Sequence, residues 1–542
     1  MPIKHEPVAA RFAWRPGHAG TLAALLLAFG MPLPARATIA APSATVAYET
    51  ALQAAVVGNE PLQKFYLARA YRPLWIDGNS LRPAAAALLT RLGAAADDGL
   101  TPERYGTSRL AAAVATARSG DHGALIAAEV QLSSAYGAYL ADLHRPSAAE
   151  TMTYVHDGLA PVYRSAASWL ESAGRASSLD EHLDSSTRMN PIYEELRAGL
   201  SAYRAAWSAL PQTRIAPGPM LRVGATGPRV AALRERLGLP AAPAAFDEAL
   251  ANRLSAFQAA HGLPVDGAAG PRTVAVLNEG PAPYERLIHA NLERARAIPA
   301  DPGKRFILVD VASATLRAYD DGKVQETMRV IVGKPDQKTP TMAARMSYAI
   351  VNPYWNLPPD LTQVRAKRVL AQGVGYLSKD KLESMSGWEP DARPLAASEI
   401  DWKAVASGAQ PLRMRQLPGP HNMMGKVKFM MPNNLGIYLH DTPNKGLFAS
   451  ADRRFSSGCV RLADAPRLAR WLFGAEAPDP AKLGMEQQVD LKESVPVYIT
   501  YLTVETKPDG SVAFRSDPYK RDATLLAALD RDAGASTARG VN

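Results

Sequence analysis

The hydrophobic rhythm of the chain changes near its middle. From about residue 45 to 210, apolar residues recur at three- and four-residue spacing in alanine-rich stretches such as 81–92 (LRPAAAALLTRL) and 127–143 (AAEVQLSSAYGAYLADL). That period predicts helices, each with one stripe turned to a core. Asp97-Asp98-Gly99 and Arg145-Pro146-Ser147 punctuate them. Segment 66–78 (YLARAYRPLWIDG) gathers aromatics and arginines and reads as an aromatic plug in that core. From Phe306 the pattern alternates in the manner of strands: FILVDVASATLRAYDDGKVQETMRVIVG has Asp321-Gly322 as a hairpin turn. RMSYAIVNPYWNLP, KVKFMMP and GIYLHD read as further strands, and VPVYITYLTVETKPDGSVAF as a late hairpin around Pro508-Asp509-Gly510. Residues 359–410 break the alternation; they are charged and partly helical, and predict a cap inserted over the β-rich domain, 304–505. The polar end, 517–542, reads as a flexible tail.

Residues 218–278 predict a compact unit of three small helices with glycine corners. Val230, Leu233 and Leu237 share one face, Asp247 is placed as an N-cap, and Leu250, Leu254 and Phe257 form a second stripe. The unit resembles the peptidoglycan-binding module of the GxxGxxVxxLQ…FDxxxxxAVxxFQxxxGLxxDGxxGPxT type. It departs from that pattern at Arg234, where glutamine is usual, and at Arg253-Leu254, where Ala-Val is usual. GATG (224–227) is no phosphate loop, because no Gly-Lys-Ser/Thr follows. Residues 281–302, interrupted by prolines, read as a linker with a connecting helix. The expected fold class is multidomain α+β: a helical scaffold (45–210), the small module, and a β-rich domain carrying an inserted cap.

Composition then narrows the location. Residues 1–37 read as a signal peptide: Lys4, Arg11 and Arg15 precede an eleven-residue apolar core (21–31, TLAALLLAFGM), and Ala35-Arg36-Ala37 fits small-x-small cleavage. Such a core is short of the ~20 residues a spanning helix needs, so a cleaved leader is favoured over an anchor and a periplasmic location is expected. The leader's four basic residues and one acid supply +3 of the +9 net charge. The remaining excess is spread out, with no basic run; it suits an anionic cell-wall surface weakly, and nothing resembles a nucleic-acid module.

The single cysteine, Cys459, changes the picture most. In an oxidising compartment structural cysteines come in pairs, so a lone one is either an inert buried residue or a reactive thiol. Cys459 follows Ser456-Ser457-Gly458 and precedes a helix that Asp464 can cap, with Pro466 in its first turn. His440 lies 19 positions earlier, at the end of the strand GIYLHD. A thiol with a pKa of ~8.5 needs a base or a positive neighbour to react near neutrality, which His440 and Arg461 can supply. Gly458 permits a tight turn whose amides can point at an oxyanion. One cysteine and one histidine without paired spacing are too few ligands for a metal, and no cofactor is implied. His421 in its Pro-Gly-Pro loop reads as solvated, and Met423, Met424, Met430 and Met431 as packing.

His440-Asp441-Thr442 followed by Phe455-Ser-Ser-Gly-Cys459-Val-Arg461 is similar to the L,D-transpeptidase (YkuD-type) signature. RVIVGKPDQKTPTM, VNPYWNLPP and PGPHNMMGKVKFMMPNNLGIYLHDTP resemble the large periplasmic (YcbB-type) subclass with its inserted cap. The resemblance implies a peptidoglycan enzyme. Cys459 would attack the diaminopimelate carbonyl of a tetrapeptide stem and His440 would act as base. Gly458 and Cys459 amides would form the oxyanion hole, and Arg461 would hold the loop or a substrate carboxylate. Ser456 and Ser457 would bind substrate or position the loop, while Tyr354 and Trp355 read either as lining the donor groove or as core residues. A diaminopimelate amine of a second stem would resolve the thioester into a 3→3 cross-link. Ser457 stands where many members have histidine, which leaves His440 as the motif's imidazole. L,D-carboxypeptidase activity, attachment or detachment of a lipoprotein, and a non-catalytic wall-binding scaffold remain open as alternatives. Cell-wall synthases are conceivable partners.

Overall fold

The structure, a computed structural model, describes residues 44–149 and 152–539, so the expected leader at 1–37 lies outside the described residues. The architecture is multidomain α+β: a helical scaffold, a three-helix module and a large mixed sheet with its cap.

In the scaffold, the helix His122–Leu143 is buried along most of its length, and Asp121 caps it by accepting from the Ala124 N–H. The aromatic plug is real: Tyr66 and Trp75 are fully buried. Tyr66 donates to the Glu129 carboxylate (2.7 Å) and the Trp75 indole to Ser133 Oγ (2.9 Å). Glu129 also accepts from the Leu74 and Trp75 amides, so a buried acid is satisfied by three donors.

The module consists of helices Pro228–Arg236, Glu248–Ala260 and Pro271–Glu279, with Asp247 capping the second as expected. Its two departures from the usual pattern are structural. Arg234 donates to Asp247 Oδ2 (2.8 Å) and the Pro240 carbonyl. Arg253 lies over the Trp207 ring (4.3 Å) and donates to the Leu237 and Ala206 carbonyls. His261 stacks on Phe257 (3.9 Å between centroids) and meets Tyr203, Tyr284 and Phe514, which packs the module against the scaffold, the helix Ala282–Arg296 and the late hairpin.

The segment read as a linker is a buried strut. Its helix, Ala282–Arg296, places Arg296 at 1% exposure. Arg296 pairs with Glu293 and donates to the Leu143 carbonyl (3.0 Å), the Asp98 carbonyl and the Tyr193 hydroxyl (3.0 Å). Apart from Glu293, the partners lie 103 to 198 residues upstream, so local sequence does not announce them. Removing a buried, multiply bonded cation strands its partners. Arg296→Ala is expected to cost about 3–5 kcal/mol, read as a lowered denaturant midpoint with unchanged far-UV circular dichroism in the folded baseline.

The sheet has strands β1 (Thr153–Tyr154), β2 (Arg305–Asp310), β3 (Thr315–Asp320), β4 (Lys323–Gly333), β5 (Met342–Val351), β6 (Val427–Met430), β7 (Leu439–His440), β8 (Arg454–Ser456), β9 (Val460–Leu462) and β10 (Gln487–Thr500). Their order is β6-β7-β9-β4-β3-β2-β10-β5-β1; β8 pairs with β4, and β6 also pairs with β5, so the sheet closes on itself. Asp321 and Gly322, both at positive φ (48° and 71°), make the two-residue β3–β4 turn the sequence predicted. On β2, Ile307 and Val309 enter the sheet's own core, while Phe306 and Leu308 pack on the scaffold. Two buried faces explain why this strand reads as an unbroken apolar run. The scaffold's β1 joins the sheet's edge through Thr153↔Met342, a two-residue pairing invisible to periodicity.

The cap extends beyond the expected 359–410. Strands Trp355–Asn356, Arg413–Gln416 and Leu382–Met385 form its small sheet, and helices Pro359–Gln372 and Trp402–Ser407 cover one face. Its core includes Trp355, Tyr376, Trp402, Met414 and Met424. The flanking strands have two and four residues, too short to show alternation. The tail also differs from expectation: a helix, Asp522–Arg539, is tied to the strut by Arg294–Asp522 (2.7 Å) and Arg286–Asp530 (2.6 Å), and Leu525 is buried. No helix among the described residues is long and apolar enough to cross a membrane.

Candidate active site

Strands β7 and β9 run parallel, with Leu439 opposite Val460 and His440 opposite Arg461. Leu439 and Val460 are fully buried and point into the sheet's core. Alternation therefore puts Tyr438, His440, Cys459 and Arg461 together on the other face. By sheet geometry Cys459 and His440 are one diagonal step apart, about 8 Å between Cα atoms, with thiol and imidazole extending from the same surface. The Val460 N–H donates to the Tyr438 carbonyl (3.1 Å), which holds Cys459 beside Tyr438. Asp464 caps the following helix, Ala465–Phe473, whose buried Leu468 and Leu472 anchor it to the core as expected.

His440 is 2% exposed. Its Nδ1 faces the Asp441 carbonyl at 2.5 Å. A carbonyl only accepts, so Nδ1 carries the proton and Nε2 keeps the lone pair that a base needs. Asp441 is itself fixed: its carboxylate accepts from Lys445 Nζ (2.6 Å) and the Lys426 N–H (2.9 Å). A Cβ on Gly425 would overlap that carboxylate, and its φ of +63° also favours glycine. Burial, helped by the Arg461 charge, lowers the His440 pKa to about 3. The resting imidazole is neutral.

Cys459 is half-buried, with Sγ 3.5 Å from the Gly436 carbonyl. Burial pushes its pKa up, while the Tyr438 amide and hydroxyl and the Arg461 charge favour the thiolate. Thiol and imidazole are therefore both neutral at rest, and the proton moves when the sulfur attacks. Arg461 is partly buried, and its Nε has no hydrogen-bond partner among the described residues. A guanidinium left in that state beside the thiol suits a substrate carboxylate.

The other expected residues divide. Ser456 is buried and its Oγ accepts from the Gly458 N–H (3.2 Å), so it positions the loop. That bond occupies the Gly458 amide, which corrects its assignment to the oxyanion hole. Gly458 instead serves through its φ of +118°, with Ile437 Cδ1 3.4 Å from where a Cβ would stand. Ser457 is exposed. Trp355 fills the cap core, the second of its two readings. Tyr354, on the opposite face, lies under the Arg415 guanidinium (4.2 Å) with its hydroxyl toward Met485 Sδ (3.8 Å). Sequence reasoning missed Tyr438. Its ring is 5.7 Å from that of His440, its hydroxyl reaches Met424 Sδ (3.5 Å) in the cap core, and it interacts with the thiol. Its position two before His440 on one strand was the available signal. His421 is exposed, as expected.

Histidines shielded from solvent are expected to make the fold acid-sensitive. Burial lowers His261 and His289 to about 4 and His440 to about 3. The unfolded chain takes up these protons near pH 6.5 and the native chain does not, so their contribution is complete above pH 6.5 and declines as pH falls toward 4. Glu129 and Asp310, raised by burial, act in the opposite sense. The melting temperature is expected to fall between pH 6.5 and 4.5, with a shallower slope for His261→Gln, as measured by calorimetry.

Residues 304–498 match the family model of the L,D-transpeptidase catalytic domain, residues 60–200 that of the Scaffold domain, and residues 227–277 that described as "Putative peptidoglycan binding domain". A protein of Haemophilus influenzae (strain ATCC 51907 / DSM 11121 / KW20 / Rd) named "Putative L,D-transpeptidase" is 31% identical over 249 residues, 45% of this chain and 49% of its own length. The match spans about half the length of that curated relative. Among solved structures, an L,D-transpeptidase from Mycobacterium smegmatis is 15% identical over 38% of this chain and 61% of its own, with a TM-score of 0.18. An L,D-transpeptidase in complex with imipenem is 14% identical over 37% and 60%, also at 0.18. The β-rich half is similar to the L,D-transpeptidase catalytic domain, and the small module to a peptidoglycan-binding domain, by the family models they match.

Proposed function

We propose that this protein is a peptidoglycan L,D-transpeptidase of the large periplasmic type, joining stem peptides through a thioester on Cys459. The observation that carries the proposal is the parallel β7–β9 pairing, which gathers Tyr438, His440, Cys459 and Arg461 on one face within the region that matches the catalytic-domain model.

Cys459 Sγ attacks the diaminopimelate carbonyl of a tetrapeptide donor as its proton passes to His440 Nε2. The Cys459 amide and the Tyr438 hydroxyl stabilise the developing oxyanion. Collapse expels D-alanine, whose amine takes the proton back from His440. The side-chain amine of a second stem then attacks the thioester, gives its proton to His440 Nε2, and leaves a 3→3 cross-link with the thiol restored. Arg461 holds a stem carboxylate. An exported, periplasmic setting and cell-wall synthase partners belong to the same reading.

Purified protein incubated with disaccharide-tetrapeptides tests it. Cross-linked dimers released with D-alanine are expected in the mass spectrum. Tripeptides alone would mean that water is the acceptor and the enzyme a carboxypeptidase. Unchanged tetrapeptide would reject both.

A further inference from the structure

The loop that presents Cys459 is gripped from beyond the region that matches the catalytic-domain model, which ends at residue 498. Residues 333–339 form a tight turn against this loop. The Lys334 N–H donates to the Ser456 carbonyl (3.0 Å), and a Cβ on Gly333 would overlap the backbone of Gln337 and Thr339. Thr339 Oγ1 accepts from the Gly333 N–H (2.8 Å) and donates to the Gly458 carbonyl (2.7 Å), one residue before the nucleophile. The Tyr519 hydroxyl then spans both ends of the turn, donating to the Gly333 carbonyl (2.6 Å) and accepting from the Thr339 N–H (3.2 Å).

Tyr519 is itself fixed. It is 4% exposed and its ring stacks on Tyr501 (5.4 Å between centroids). Its N–H donates to the Tyr501 hydroxyl (2.8 Å), which donates to Asp517 (2.5 Å). Asp517 accepts the Arg521 and Asp522 amides at the start of the last helix, and Asp522 holds Arg294 of the strut. The chain of bonds runs from the strut through the C-terminal segment to Gly458.

We propose that Tyr519 is a positioning residue for Cys459. Through Thr339 it fixes the Gly458 carbonyl, and with it the plane of the peptide bond whose N–H belongs to Cys459. The C-terminal segment thereby becomes part of the catalytic apparatus. The inference rests on Cys459 being the nucleophile of the proposed function.

Tyr519→Phe in the full chain keeps the ring and removes both hydroxyl bonds. Tyr66→Phe is the control, since it loses buried bonds of the same kind in the scaffold. With imipenem as acylating probe, the maximal acylation rate of Tyr519→Phe is expected to fall about tenfold, the scale of one or two buried hydrogen bonds felt at the transition state. The half-saturating concentration is expected to stay within roughly twofold, because ground-state binding is not what Tyr519 supports. Amide exchange in the segment spanning residues 454–461 is expected to quicken in Tyr519→Phe and not in Tyr66→Phe. Wild-type acylation rates in Tyr519→Phe, or equal slowing in Tyr66→Phe, would overturn the proposal. If wild-type protein forms no imipenem adduct, the proposed function fails, and the exchange comparison still decides whether Tyr519 holds the loop: unchanged exchange rejects it.

Discussion

Cys459→Ala is expected to abolish turnover of disaccharide-tetrapeptides, a loss of roughly 10⁴-fold or more, while the melting temperature stays within a few degrees of wild type. The size of the effect follows from the chemistry: acyl capture needs a nucleophile at that point, and the chain has no second thiol to take over. The neighbouring serines do not substitute. Ser456 is turned inward to the Gly458 amide and Ser457 is exposed. The small cost in stability follows from position. Cys459 is half-buried just before β9, and Leu439 and Val460, on the opposite face, hold the strands together without it.

His440→Gln is expected to lower kcat by about 10²–10⁴-fold, the range for losing a positioned general base. Its pH dependence is more diagnostic than its size. Burial keeps the wild-type imidazole neutral down to low pH, with a pKa lowered to about 3, and holds the thiol above its ordinary value. The reactive form, neutral thiol beside neutral imidazole, is then the populated one across the neutral range. Wild-type alkylation of Cys459 by iodoacetamide should be nearly flat between about pH 5 and 8. In His440→Gln only the thiolate reacts, so the rate should rise about tenfold per pH unit over the same range. A wild-type acid limb near pH 6.5 would instead indicate a solvated, titrating imidazole and contradict the buried geometry.

Much of this was legible in the sequence because short-range rules govern it. Asp321-Gly322 can only make a two-residue turn with both residues at positive φ, and the strands on either side follow. Asp247 and Asp464 cap the helices they precede. His440 and Cys459 stood out because a solitary thiol, in a chain whose first 37 residues read as a leader, has few structural uses. What stayed hidden depends on partners far along the chain. Arg296 looks like a solvated linker residue until Asp98, Leu143 and Tyr193 surround it. Strand β1 pairs over two residues with a strand almost 200 positions away. Tyr519 sits in a polar stretch whose composition suggests fraying, yet its hydroxyl has two backbone partners. Gly458 was assigned from its neighbourhood alone; the Ser456 hydroxyl that occupies its amide depends on a turn geometry the sequence does not fix.

The most direct test is to trap the acyl-enzyme. Protein incubated briefly with disaccharide-tetrapeptide, quenched in acid and digested is expected to carry the disaccharide-tripeptide acyl group on the peptide containing Cys459. That group should be removed by hydroxylamine and absent from Cys459→Ala. An acyl group on any other residue, or full turnover by Cys459→Ala, would contradict the account.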